Sequence, residues 1–315
     1  MHLPYPPRKS SNPAPFRPRK SPLPGLRRTR LKLVVLVGLA FITLIYLASR
    51  PSSRHAASTQ RKAPSGNPPA VLVTVLDETK YGDGYLETIK ENRIKYAEKH
   101  GYETLFARVG DYDLKNAPGS WTKVVATRHA LAEFPDCHYI WYLDQDAFIM
   151  NPEFKIEDHV MQPSRLDELM KKDFPVVPPD SIIKTFSHLK GQDVDLVVTQ
   201  DKDGLSSGSF VVRNGEWVQF FLDTWFNPLY RSYDFQKLET HALEHIVQWH
   251  PTILAKMAIV EQDIINSYSK GTNGVEYKDG DFVVRFADCA AAGPQACEKD
   301  SQRFVQQWRK SFTNS

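Results

Sequence analysis

Three cysteines in 315 residues, Cys137, Cys289 and Cys297, rule out a disulfide-rich scaffold. An odd number permits at most one internal bridge. Cys289 and Cys297, close in sequence across Gly293-Pro294, form one plausible pair, and three free buried thiols are the alternative. No cysteine or histidine spacing fits a zinc site, and none of the ten histidines falls in a His-Glu-x-x-His pattern. No Asn-x-Ser/Thr sequon with a permitted middle residue occurs, and no internal repeat is visible. Residues 1–30 contain no acid. The formal net charge of +3 is concentrated near the N-terminus, so the rest of the chain is not basic and no nucleic-acid surface is expected.

The acid-free segment is rich in Pro, Arg and Lys, a composition that cannot build a core, and reads as a disordered tail. An apolar run from Leu33 to Ala48 follows, extended to residues 31–49 if Lys32 snorkels. With Arg8, Lys9, Arg17, Arg19, Lys20, Arg27, Arg28 and Arg30 ahead of it and no clear cleavage site behind it, the run reads as a signal-anchor rather than a cleaved leader. Its shortness suits a thinner, early secretory membrane. Residues 50–69 read as a polar stem, and residues 70–315 as one domain of enzyme size on the lumenal side.

Within that domain, apolar and amphipathic segments alternate. Strands are expected at 71–76, 102–107 and 139–143, with helices at 85–100 and 122–133 between them. Leu86, Ile89, Ile94 and Ala97 mark the first helix's apolar side, and Gly101 its stop. Residues 153–193 read as loops and short helices. Strands at 195–199 and 209–213 are expected to flank a Gly/Ser-rich loop. Helices follow at 216–226, with Trp217, Phe220, Phe221 and Trp225 inward, and at 237–249, with Leu238, Ala242, Ile246 and Trp249 inward. A late strand at 282–284 and a helix at 301–312 close the chain. The alternation predicts an α/β fold with a mostly parallel sheet and helices on both faces, binding its ligand beyond the carboxyl ends of strands.

The strongest chemical signal lies at one such end. Tyr139-Ile140-Trp141-Tyr142-Leu143 runs straight into Asp144-Gln145-Asp146. Carboxylate oxygens suit Mg²⁺ or Mn²⁺, and a metal held by few protein groups has room for substrate phosphates. Gly204-Leu205-Ser206-Ser207-Gly208 matches a nucleophile elbow in letters alone, because a strand follows it where a helix is required. It reads better as a loop brought close to a sugar. His241 and His245, one turn apart, fall on or near an apolar stripe and read as packed side chains.

The chain resembles the fungal Mnn10/Mnn11 α-1,6-mannosyltransferase group of glycosyltransferase family 34, which also holds Gma12-type α-galactosyltransferases. The resemblance rests on Ser120-Trp121-Thr122-Lys123, residues 141–152, Ser207 to Asn214, His241 to His245, Gln248-Trp249-His250-Pro251-Thr252-Ile253-Leu254, and Gly280 to Val284. The 248–253 stretch and Asn266-Ser267-Tyr268 point most to the mannosyl branch. It implies a GT-A fold, retention of anomeric configuration, Mn²⁺ and a Golgi membrane anchor. On this reading Asp144 and Asp146 hold Mn²⁺ against the diphosphate of GDP-mannose, and Lys123 and Arg285 neutralise phosphate charge. Ser207, Gly208 and Glu239 lie near the transferred sugar. The product is an α-1,6-linked mannan or N-glycan outer chain, made in a hetero-oligomeric mannan polymerase complex. Two departures stand out. Arg285-Phe286-Ala287-Asp288-Cys289 replaces His-Phe-x-Gly-Cys, whose His is the family's third metal ligand, and Thr240 follows Glu239 where the family tends to have Gln. They keep two alternatives open, an α-galactosyltransferase using UDP-galactose and a weakly active or non-catalytic scaffold subunit.

The basic tail gives a direct test of topology. In sealed microsomes, protease is expected to trim an N-terminal tag and spare a C-terminal one. A C-terminal tag digested without detergent would reverse the orientation.

Overall fold

The computed structural model describes residues 32–43, 64–177, 181–233, 235–272, 274–287 and 289–313. The chain divides into two compact units, Met1–Lys62 and Ala63–Ser315. In the first, residues 32–43 form a helix. Among the described residues no helix is long and apolar enough to cross a membrane. The remainder of the expected anchor, the basic tail and most of the stem lie outside the described residues.

The second unit is built on a six-stranded sheet. In chain order the elements that matter here are β1 (Ala70–Leu76), α1 (Asp83–His100), β2 (Glu103–Arg108), α2 (Thr122–Glu133), β3 (Tyr139–Leu143), β4 (Ala147–Ile149), α3 (Pro163–Leu169), β5 (Leu196–Asp201), β6 (Gly204–Arg213), α4 (Glu216–Trp225), α5 (Pro228–Ser232), α6 (Leu238–Trp249), α7 (Pro251–Leu254), β7 (Met257–Val260), β8 (Ser267–Tyr268), β9 (Val283–Arg285) and α8 (Ala296–Thr313). The sheet order is β2-β1-β3-β6-β5-β7. Strand β6 runs against both neighbours, while the β1–β2, β1–β3 and β5–β7 pairings are parallel.

Strand β1 is buried along its whole length, so its continuous apolar run serves both faces. Val71, Val73 and Val75 face the cluster that includes Val124, Ala126 and Ala130 of α2. Ala70 and Leu72 face the cluster that includes Tyr96 and Ala97 of α1. The two-residue period thus puts one helix on each face. In α1 the buried set is Tyr85, Leu86, Ile89, Asn92, Arg93, Tyr96 and Ala97. Ile94, expected inward, is 40% exposed, because it lies five residues from Ile89 and leaves the stripe. Gly101, at φ 68°, ends the helix, and its N–H reaches the Ala97 and Glu98 carbonyls.

Other expectations are corrected in part and met in part. Residues 204–208 are not a loop but the start of β6, joined to β5 by a hairpin. The register breaks after Val198↔Phe210 and resumes at Thr199↔Ser206, so Ser207, Gly208 and Ser209 bulge out of the β5–β6 ladder. Phe220 is 48% exposed and Trp249 is 71% exposed. The buried face of α6 keeps Ala242 and Ile246, as expected, and is completed by Leu243 and Val247 rather than Trp249. His241 and His245 pack against Phe235. Cys289 and Cys297 form a disulfide, and Cys137 is a buried free thiol.

The chain changes sheets at the acid pair. Strand β3 belongs to the large sheet, and β4 pairs with β9 in a second sheet of order β4-β9-β8. Two buried residues of α1 clamp this crossing. Asn92 Nδ2 donates to the Ile149 carbonyl at 2.9 Å, and the Ile149 N–H donates back to Asn92 Oδ1 at 2.9 Å. Arg93 donates through Nη2 to the carbonyls of Asp144 at 3.1 Å and Ala147 at 2.8 Å. Replacing Asn92 with Leu strands a buried N–H and a buried carbonyl, each costing about 1–3 kcal/mol. Asn92→Leu is expected to lower stability by about 2–6 kcal/mol on that count, read as a drop in the denaturation midpoint.

Candidate active site

A cavity of about 690 Å³ opens at the carboxyl ends of β1 and β3, and its lining includes Lys123, Asp144, Asp146, Ser207, Gly208, Glu239 and Arg285. All seven residues singled out in the sequence therefore meet in one place, although they come from five separate stretches of chain. The volume lies within the roughly 300–1,000 Å³ common for small-molecule sites.

Arg285 occupies the centre. Its position at the end of β9, paired with Ala147 across the ladder, aims the side chain at the acids. Nε donates to both Asp146 oxygens, at 3.0 and 3.1 Å, and Nη2 donates to Asp144 Oδ2 at 3.0 Å. Nη1 reaches Ser206 Oγ at 3.3 Å. The approach requires Gly208, because a Cβ there would meet Arg285 Nη1 at 2.1 Å. Sequence reasoning placed Gly208 beside a sugar. The structure places it beside the guanidinium.

Lys123, on the first turn of α2, carries a second charge. Its Nζ lies 3.1 Å from Glu239 Oε1, 3.5 Å from Asp144 Oδ2 and 3.2 Å from Ser207 Oγ. Burial pulls its pKa down, but Asp144 and Glu239 more than offset this and hold it above the ordinary lysine value. Ser207 Oγ also lies 2.6 Å from Thr240 Oγ1, so the threonine found in place of glutamine joins the same polar group. Tyr142, whose hydroxyl donates to Asp144 Oδ1 at 2.5 Å, supports the acid from β3.

Asp146 is buried, and burial raises its pKa above the ordinary aspartate value. Repulsion from Asp144 adds to the rise, and Arg285 opposes it. Two carboxylates thus converge on one point where a cation already sits. Their hard oxygens fit a divalent ion. Among the described residues no group of three or more His, Cys, Asp or Glu side chains is placed to enclose a metal. The pair therefore suits an ion that completes its shell with phosphate and water. Around this point three carboxylates, Asp144, Asp146 and Glu239, face two cations, Lys123 and Arg285.

Sequence reasoning missed several contributors. Asn92 and Arg93 hold the turn from behind, and their signal was a polar pair on the apolar stripe of α1. Asn266 donates to Ser206 Oγ at 2.8 Å, and Tyr268 lines the cavity while donating to Asp201 at 2.7 Å.

A strand-end carboxylate pair facing fixed cations in an open polar cavity marks an α/β enzyme that handles an anionic ligand. The chain matches the galactosyl transferase GMA12/MNN10 family over residues 66–296 and belongs to that family, so the protein is a glycosyltransferase. It is 31% identical to an uncharacterized α-1,2-galactosyltransferase of Schizosaccharomyces pombe, over 82% of this chain and 81% of the relative. It is 29% identical to the probable α-1,6-mannosyltransferase MNN11 of Saccharomyces cerevisiae, over 82% of this chain and 66% of the relative. A solved glycosyltransferase involved in glycosylation of the major capsid of PBCV-1 is similar at a TM-score of 0.49 with 12% identity, covering 74% of this chain and all of that one.

The raised pKa of Asp146 sets a pH dependence. As pH falls, its carboxyl takes up a proton earlier than a free aspartate would, and the site loses one of the charges that hold its cation. Uptake of a divalent ion by the metal-free site is therefore expected to begin weakening above about pH 3.9, the ordinary aspartate value, read as Mn²⁺ affinity titrated at falling pH. Asp146→Asn is expected to abolish transfer at every pH while near-UV circular dichroism stays unchanged. Near-wild-type activity at saturating donor would remove Asp146 from the reaction.

Proposed function

We propose that this protein transfers a hexose, with retention of configuration, from a nucleoside-diphosphate sugar to a mannose-containing glycan, using a GT-A arrangement of its sheet. The observation that carries the reading is the meeting of Asp144, Asp146, Lys123 and Arg285 with Glu239, Ser207 and Thr240 in one cavity of about 690 Å³. Charged groups suited to a diphosphate and neutral polar groups suited to sugar hydroxyls then lie side by side.

Asp144 and Asp146 would hold a divalent cation, Mn²⁺ being the proposed one, and that cation would stabilise the charge developing on the departing phosphate. Lys123, kept protonated by its neighbours, donates to phosphate oxygen. Glu239, turned toward the cavity from α6, and Ser207, on the β6 bulge, position the transferred sugar. In a front-face retaining reaction the departing phosphate takes the acceptor's proton, so no separate protein base is needed.

GDP-mannose is the proposed donor, supported by Asn266 to Tyr268, a mannosyl-type stretch that packs against Ser206 and reaches the cavity wall. UDP-galactose is the second reading, supported by the similarity to the S. pombe α-1,2-galactosyltransferase. The acidless basic tail and the apolar run behind it support a single-pass type II protein of the Golgi membrane. Assembly into a mannan polymerase complex is part of the same proposal.

Full-length protein in detergent, supplied with Mn²⁺ and mannobiose, tests the reading with GDP-mannose and UDP-galactose in parallel. Transfer is expected with GDP-mannose, with kcat/KM at least tenfold above that for UDP-galactose. The reverse ratio selects the galactosyl reading, and no hydrolysis or transfer of either donor favours a scaffold subunit.

A further inference from the structure

A guanidinium in the cleft of the acid pair raises a problem of competition. A divalent ion and Arg285 want the same oxygens. Arg285 gives Nε to Asp146 and Nη2 to Asp144, so the ion displaces it on arrival. A displaced guanidinium in a partly buried cavity needs a new acceptor, because charge-assisted hydrogen bonds lost without replacement leave a desolvated cation unpaired. A nucleoside diphosphate arriving alone fares no better. Arg285 is already engaged with the acid pair and Lys123 with Asp144 and Glu239, so the diphosphate's charge meets carboxylates with neither cation free to receive it.

The two ligands arriving together resolve both difficulties. The ion takes the carboxylates, and the guanidinium turns to the phosphates, whose planar oxygen pairs match its fork. Arg285 is equipped for this move. Three of its five N–H groups serve Asp146, Asp144 and Ser206, which leaves two uncommitted. Its nearest wall is glycine at 208, which presents no side chain to restrain it.

We propose that Arg285 is an exchangeable counter-ion, which holds the acid pair in the free protein and passes to the donor diphosphate when a divalent cation takes the acids. The inference rests on the proposed handling of a nucleoside diphosphate at this cavity. The exchange of this side chain then adds to the coupling that direct ion–phosphate contact supplies, and cation and nucleotide each strengthen the other by the same factor.

The test is Mn²⁺ binding, followed by electron paramagnetic resonance and calorimetry on the full-length protein, with and without GDP or UDP. In the wild type, Mn²⁺ affinity is expected to rise at least tenfold when nucleotide is present. In Arg285→Gln, Mn²⁺ alone is expected to bind at least tenfold more tightly than to the wild type, and the coupling to fall at least threefold below the wild-type value. Arg285→Lys keeps the charge but loses the fork, so it is expected to fall between the two. It carries the comparison if thermal melting shows Arg285→Gln to be unfolded. Equal Mn²⁺ affinity of wild type and variants without nucleotide overturns the exchange. So does nucleotide binding that is unchanged in EDTA, or a wild type in which no coupling appears. Hexose transfer is scored separately. Its absence with coupling intact counts against the proposed reaction alone, and its presence without coupling counts against the exchange alone.

Discussion

The site depends on holding two carboxylates side by side against their repulsion, at a point where the backbone is leaving one sheet for another. Arg93 makes this possible from beneath. It is buried, and burial draws its pKa down to about 9 against the opposing pull of Tyr85, Asp146 and Asp144. The side chain binds the carbonyls of Asp144 and Ala147, so it fixes the backbone on both sides of the turn while its charge lies under both acids. Arg285 answers from above. The acid pair is thus held between two guanidinium groups, one committed to structure and the other reachable from the cavity.

The position of each group follows from strand geometry. Strand β3 must end where its apolar run ends, and β4 must begin a new ladder with β9 four residues later. That ladder places Arg285 opposite Ala147, next to Asp146. The β6 bulge frees Ser207 and Gly208 from the ladder on the β5 side, so the serine turns to Lys123 and Thr240 while the glycine yields space to the guanidinium. A regular strand would have spent those residues on sheet pairing.

Much of this was legible in the sequence where one period dominated. The buried β1 run, the helices over 122–133 and 216–225, and the strand ending in two acids all carry a single unambiguous pattern. Exposure of Trp249 and Phe220 was not legible, because a helix's apolar stripe drifts across its surface and large aromatics are counted as core by default. The β6 bulge was hidden because Gly-Leu-Ser-Ser-Gly has the composition of a loop. Only its pairing with β5, through Thr199↔Ser206, Gln200↔Leu205 and Asp201↔Gly204, makes it a strand. Asn92 and Arg93 were hidden because their role is to bond backbone 51 to 57 residues away, and side-chain patterns do not record carbonyl partners. Asp144 and Asp146 were legible at the end of their strand and Ser207 and Gly208 in a Gly/Ser-rich stretch, whereas Lys123, Glu239 and Arg285 were found through resemblance to a family. What that resemblance did not contain was their arrangement, above all a guanidinium bonded to both acids.

The close approach of Gly208 and Arg285 has a consequence for substitution. A Cβ at 208 meets the guanidinium only while a long, forked residue fills position 285 and keeps its present place. A shorter side chain at 285 would leave that space open, and alanine at 208 would then fit. The two positions, 77 residues apart, are therefore sterically linked: a smaller residue at 285 frees room at 208, and a side chain at 208 pushes the guanidinium off the acid pair.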